Sequence, residues 1–295
     1  MVWQGSRRVW LGQFTSTCAA AMTAPSTIDH SSTPIPKRQF QLGIVTYNLA
    51  SQWDLPTLLR IAGKTGIAAV ELRTTHAHGV EPTLTAKERT DIRRRFQDSG
   101  VRLWGLGTVC EFQSSEPNVV RQNLDVCNQF LELSADLGGV GVKVRPNGLP
   151  KGIPTDVTLK QIGESLSRCG EAAKKLQQEV WLEVHGAGTA DPQHIQTIME
   201  HCRHPNAGVT WNSNSTDIVN GSLQESMQRL QPYIKSCHIN ELYGRYPYRE
   251  LFTALRRMQY DRFTLIEIPQ KLNPEAGELL IRYYKSLWQE LADRA

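Results

Sequence analysis

The chain has 295 residues, 40% of them hydrophobic and 21% charged, with a formal net charge of +4. That composition suits a globular protein of one large domain or two small ones, and it excludes collagenous, low-complexity and small disulfide-rich classes. No run of 18 or more apolar residues is present, so no membrane span is expected, and no basic stripe suits a nucleic acid.

The positive charge is concentrated at the start, where residues 1–40 carry Arg7, Arg8, Lys37 and Arg38 against Asp29 alone. Ser6-Arg7-Arg8-Val9-Trp10-Leu11 resembles a twin-arginine export signal, and Ala19-Ala20-Ala21 fits small-residue cleavage. This pattern implies export to the periplasm. The competing reading is a leader from an early start codon on a cytoplasmic protein, because Gln13 and several Ser and Thr residues interrupt the apolar stretch. A polar, proline-bearing segment, TIDHSSTPIPKRQ, follows. Residues 1–40 thus read as leader and linker, and residues 41–295 as the folded domain.

From Gln41 onward, short apolar runs alternate with longer amphipathic segments. The runs are LGIVTY (42–47), AAVEL (68–72), RLWGLG (102–107), GVKVR (141–145), VWLEV (180–184), GVTW (208–211), IKSCHI (234–239) and FTLIEI (263–268). The spacing predicts helices over 55–64, 86–97, 119–137, 159–177, 192–202, 223–230, 249–258 and 274–291. Asp54 and Asp156 read as N-caps, and Gly66, Gly100 and Gly138 as helix stops. Strands apolar on both faces are parallel strands covered by helices. Eight such repeats in about 250 residues match an α/β fold of the (β/α)8 TIM-barrel type. An open doubly wound sheet would carry a glycine-rich turn after its first strand, and TYNLASQW has none.

In such a barrel the site is built from the C-terminal strand ends. Glu183, Asn212, His238 and Glu267 end four successive strands, spaced 29, 26 and 29 residues apart. Two carboxylates, an amide oxygen and an imidazole at one end of a barrel suit one divalent ion, Mn²⁺, Mg²⁺, Co²⁺ or Zn²⁺. Taken singly, each is more often a salt-bridge partner or a core histidine; it is their common phase that points to a metal. The six cysteines form no C-x-x-C pair and read as buried thiols.

Further residues fall near the same end. His185 follows Glu183 by two positions. Lys143 and Arg145 share one face of the fourth strand and suit either an anionic or polyhydroxy substrate or the neutralisation of Glu71 and Glu183. Glu71, His76 and Asn214 complete the expected substrate contacts. His76 and His78 form an H-x-H pair that reads more readily as cleft-lining histidines than as metal ligands. YGRYPYRE (243–250) suits either sugar contacts or an ordinary solvated loop.

VWLEVHG, GVTWNSNSTD, SCHINEL and LIEIP, with GLGT and VKVRPNG before them, resemble the xylose-isomerase-like TIM-barrel superfamily of sugar phosphate isomerases and epimerases, from Gln41 to about Leu291. The resemblance implies that Glu183 and Glu267 ligate the ion and exchange a substrate proton through an enediolate, with His238 as a further ligand. It also implies a small carbohydrate substrate and no nucleic-acid partner. Asn212 stands where relatives usually carry Asp. A keto-sugar lyase or dehydratase on the same fold, and a non-catalytic sugar-binding barrel, are the alternatives. A homo-oligomer is compatible with each.

Overall fold

The computed structural model describes residues 35–294, so the leader and export reading lies outside the described residues. Eight parallel strands form: β1 (Gln41–Asn48), β2 (Ala69–Arg73), β3 (Arg102–Gly107), β4 (Gly141–Val144), β5 (Glu179–Glu183), β6 (Ala207–Trp211), β7 (Ile234–Ile239) and β8 (Phe263–Ile268). Each pairs with the next, and β8 pairs with β1 to close the barrel. The helices are α1 (Leu55–Thr65), α2 (Ala86–Ser99), α3 (Pro117–Leu137), α4 (Thr155–Lys175), α5 (Pro192–Cys202), α6 (Gln224–Leu230), α7 (Tyr248–Arg257) and α8 (Pro274–Asp293). No described helix is long and apolar enough to cross a membrane.

The helix boundaries follow local chemistry. Asp54 caps α1 by accepting from the Thr57 amide, and Thr85 with Glu88 forms a capping box on α2. Gly66, Gly100 and Gly138 close their helices at φ of 66°, 69° and 78°, where a β-carbon is disfavoured. Asp156 departs from its expected role. Helix α4 starts at Thr155, after Pro154, and Asp156 sits inside the first turn, making no capping bond. A carboxylate there complements the helix dipole instead.

Two apolar layers hold the barrel. The outer layer lies between strands and helices and includes Ile44, Leu72, Val142, Leu182, Trp211 and Ile266. A separate inner cluster of Val45, Ala69, Trp104, Trp181, Phe263 and Leu265 fills the lumen. Trp104 and Trp181 stack with centroids 5.0 Å apart, and the Trp104 indole reaches Ser236 on β7 at 3.1 Å. Gly105 and Gly141 admit this pair, since a β-carbon on either would lie within 3 Å of the Trp181 ring.

The lumen filling also positions the polar residues above it. Side chains two apart on a strand share a face. Thus Ala69 is followed by Glu71, Trp181 by Glu183, Ser236 by His238 and Leu265 by Glu267, each one layer nearer the C-terminal rim. The apolar inner cluster is the floor on which the polar residues stand.

Candidate active site

The strand ends bring Glu183, His238 and Glu267 together, with one ligand atom from each lying within 4.8 Å of the others. His238 Nδ1 is 3.7 Å from Glu183 Oε1 and 3.5 Å from Glu267 Oε1. His238 Nε2 lies 3.2 Å from Glu71 Oε2, and both side chains are fully buried. Glu71 therefore lies beneath the imidazole and orients it, whereas the sequence reading had placed it on the substrate. The order carboxylate, imidazole, open nitrogen presents Nδ1 to the site.

Asn212 donates from Nδ2 to Glu183 Oε1 at 3.3 Å, while its Oδ1 is buried without a partner. His238 Nδ1 is likewise buried without a hydrogen bond. An orphaned amide oxygen and an orphaned imidazole nitrogen beside two carboxylates are a ligand set that one divalent ion satisfies once the imidazole has lost its proton, so the residues present fit the expected cofactor. Turning the Asn212 amide about its terminal bond exchanges nitrogen for oxygen on the side facing Glu183.

Lys143 is the residue that changes the electrostatics. Its Nζ sits 2.7 Å from Glu183 Oε2, with both side chains about 95% buried. Burial disfavours the Glu183 carboxylate, but Lys143 and then His238 outweigh it and hold the carboxyl well below its usual range. Burial also opposes the Lys143 ammonium, and the fields of Glu183 and Glu71 overcome it and raise its pKa. His238 is raised well above the ordinary imidazole value because Glu71 and Glu267 overcome its desolvation. Gly107 makes room for this arrangement, since a β-carbon there would stand 2.8 Å from Glu71 Oε1 and 3.6 Å from Lys143 Cε.

Above these groups opens a cleft of about 310 Å³, lined by Tyr47, Arg73 and Arg145 on one side and His185, Asn214 and Glu241 on the other. Lys143, Glu183, Asn212 and Glu267 also reach it. Asn214 lines it while donating to the Val184 carbonyl at 2.6 Å. Arg145 is paired with Glu111 at 2.9 Å, so its charge is neutralised within the protein. His76 is not in the lining. It bonds Thr46 Oγ1 at 2.9 Å, and burial, together with His78, Arg73 and Lys271, pushes its pKa down to about 4. His78 bonds the Arg73 carbonyl through Nε2 and accepts from the Val80 amide, so both ring nitrogens are committed. The two histidines organise the loop after β2.

Tyr246 and Tyr248, after β7, are structural in the same way. Tyr246 accepts from the Trp211 indole and donates to Asp217 Oδ2 at 2.7 Å, and Tyr248 accepts from the Asn240 amide. Asp217 is fully buried, and desolvation raises its pKa to about 7 against the opposing bonds from Tyr246 and Asn214. Sequence reasoning missed Asp217 and Tyr47, and it placed Arg73 on one face of the second strand with Glu71 without giving it a role. For Asp217 the signal was present as the reciprocal Asn214/Asp217 cap of a short 3-10 turn, Ser215–Asp217.

A family model described as a xylose isomerase-like TIM barrel matches residues 59–286. The chain belongs to this family. Among solved structures, the xylose isomerase-like barrel is similar to a D-psicose 3-epimerase determined in the presence of D-fructose, with TM-score 0.73 and 15% identity over 86% of this chain and 100% of that one. It is equally similar to the IolI protein with a bound zinc atom, at TM-score 0.73 and 15% identity over 86% and 99% of the two chains. A probable 3-DHS dehydratase from Bacillus anthracis matches at TM-score 0.67 and 14% identity over 83% and 99%. Identities this low support the shared fold. No curated protein sequence matches the chain.

Proposed function

We propose that the protein is a carbohydrate isomerase or epimerase that moves a proton between Glu183, Glu267 and a substrate carbon through an enediolate. The observation that carries this reading is the placement of two carboxylates, from β5 and β8, around one imidazole from β7, both opening into one polar cleft. Two-sided proton exchange needs one group to act as base while the other acts as acid.

The two carboxylates are not equivalent. Glu183 has Lys143 on one oxygen and Asn212 on the other, whereas Glu267 makes no ion pair with a lysine or arginine among the described residues. Glu267 is therefore the group that removes the first proton. Among the described residues, Glu183 is the only partner of the Lys143 ammonium, which leaves two of its three N–H groups for a substrate oxygen. As negative charge develops on that oxygen, Lys143 turns towards it and releases Glu183 to exchange a proton on the other face. Asn212, Asn214 and His185 orient the hydroxyls. A divalent ion held by Glu183, His238 and Glu267, with Asn212 Oδ1, supplies further polarisation of the substrate oxygens when bound.

Elimination from the same enolate is the second reading. Lys143 favours it, because an ammonium that binds a carbonyl oxygen also binds a departing hydroxyl. The test is solvent deuterium incorporation into a panel of ketoses, followed by product analysis. Epimer or isomer products support the first reading and dehydrated products the second. Binding without exchange would leave a sugar-binding barrel.

A further inference from the structure

The cations around the cleft are unequal. Lys143 is neutralised by Glu183 and Arg145 by Glu111. Arg73, at the end of β2, has no carboxylate partner among the described residues. The only acceptor of its guanidinium there is the carbonyl of the adjacent Thr74, at a long 3.4 Å. The nearby Glu81 is committed elsewhere, accepting from the Thr74 hydroxyl at 2.8 Å and the Thr75 amide at 2.5 Å.

Arg73 is nevertheless held in place. Its guanidinium carbon lies 5.5 Å from the centroid of the Tyr47 ring, and both side chains line the cleft. A guanidinium over an aromatic face is oriented without being discharged. The Arg73 Cα and the Lys143 Cε both lie within 3.6 Å of the point where a Gly107 β-carbon would stand, so the root of the Arg73 side chain lies beside Lys143, and both residues line the same cleft. A preorganised fork of N–H donors with no internal anion suits a carboxylate or phosphate oxygen pair.

We propose that the substrate is an acidic carbohydrate, bearing a carboxylate or phosphate a few atoms from the reacting carbon, and that Arg73 binds that group. The inference rests on the cleft of the proposed function, but it concerns binding and does not depend on the order of proton transfers. Tyr47 is the positioning residue beneath the guanidinium. Specificity between neutral and acidic sugars then resides with the β1 and β2 residues that line the cleft.

The experiment is titration calorimetry of the full chain with D-fructose, D-fructose 6-phosphate and D-fructuronate, for the unaltered protein, Arg73→Met and Arg73→Lys. The expected result is that one acidic ketose binds at least about thirtyfold more tightly than D-fructose, that added salt weakens this preference, that Arg73→Met removes it and that Arg73→Lys keeps part of it. Which acidic ketose binds more tightly separates phosphate from carboxylate. Equal binding of neutral and acidic ketoses, a preference that survives Arg73→Met, or no binding of any of the three at millimolar concentration overturns the inference. Thermal unfolding of each variant confirms that the barrel is intact, and Arg73→Lys serves if Arg73→Met does not fold. Deuterium exchange on the same samples separates the two claims, since acidic selectivity without exchange defeats the isomerase reading and leaves the anion site standing.

Discussion

Lys143 Nζ lies 2.7 Å from Glu183 Oε2, a buried ion pair at the centre of the polar end of the barrel. Removing one member leaves the other as an uncompensated buried charge, which typically costs about 3–5 kcal/mol. Lys143→Met is expected to lower ion-free stability by that order, read from urea unfolding. The same change removes a positive charge beside the proposed ion site, so Mn²⁺ or Zn²⁺ affinity should rise by about tenfold, one power of ten corresponding to about 1.4 kcal/mol. Calorimetry with the metal alone checks this, and an unchanged or weaker affinity contradicts the arrangement.

Asn212 shares the Glu183 carboxylate with Lys143, but with its amide nitrogen towards Oε1. Asn212→Asp replaces that donor with a second carboxylate. Without ion, the facing charges should destabilise the protein by about 1–3 kcal/mol. With ion, the added negative charge should tighten binding by at least about tenfold. Melting temperatures with and without Zn²⁺ test both signs together. A variant indifferent to metal would place Asn212 on the substrate rather than on the ion.

Gly107 tests the support beneath the site. A β-carbon there would crowd Glu71 Oε1, whose other oxygen orients His238. Gly107→Ala should cost about 10–100-fold in metal affinity while leaving the barrel folded, the usual effect of disturbing a ligand's hydrogen-bonding partner. Circular dichroism and metal titration are the readouts.

Asp217 gives a pH signature. Its carboxyl titrates near 7 in the folded chain against 3.8 as the ordinary value, so the folded state holds the proton more tightly. Its stabilising effect is complete below about pH 4 and is lost as pH rises through 7. At about 1.4 kcal/mol per pKa unit, the loss is on the order of 4 kcal/mol. Asp217→Asn keeps an acceptor for Tyr246 and cannot ionise. Its stability relative to the unaltered protein should rise from pH 4 to 7 and then stay level, measured by urea unfolding across pH.

Much of this was legible in the sequence because a barrel strand repeats every second residue and the site sits at a fixed end. The phase of Trp181-Leu182-Glu183 and of Leu265-Ile266-Glu267 was enough to place both glutamates. What the sequence left open depended on reach across strands. Lys143 suited a substrate or a carboxylate equally well until its ammonium was seen against Glu183. Glu71 read as a cleft residue because its own strand ends at the rim, yet His238 from β7 covers it. Arg73 could be placed beside Glu71 on one strand face but given no role, because its significance is that no carboxylate pairs with it among the described residues, which spacing along one chain does not encode. Asp156 read as a cap because Pro154 two residues earlier was not weighed as the helix boundary.

Glu267 is the proposed base, a carboxylate at the cleft beside His238 that pairs with no lysine or arginine among the described residues. The most direct measurement is deuterium incorporation at the reacting carbon of a turned-over ketose, followed by NMR in D₂O, for the unaltered protein and Glu267→Gln. The unaltered protein is expected to exchange solvent deuterium into the substrate, and Glu267→Gln to lose at least about a hundredfold of that rate while still binding the sugar. Exchange at an undiminished rate in Glu267→Gln would contradict its role as base.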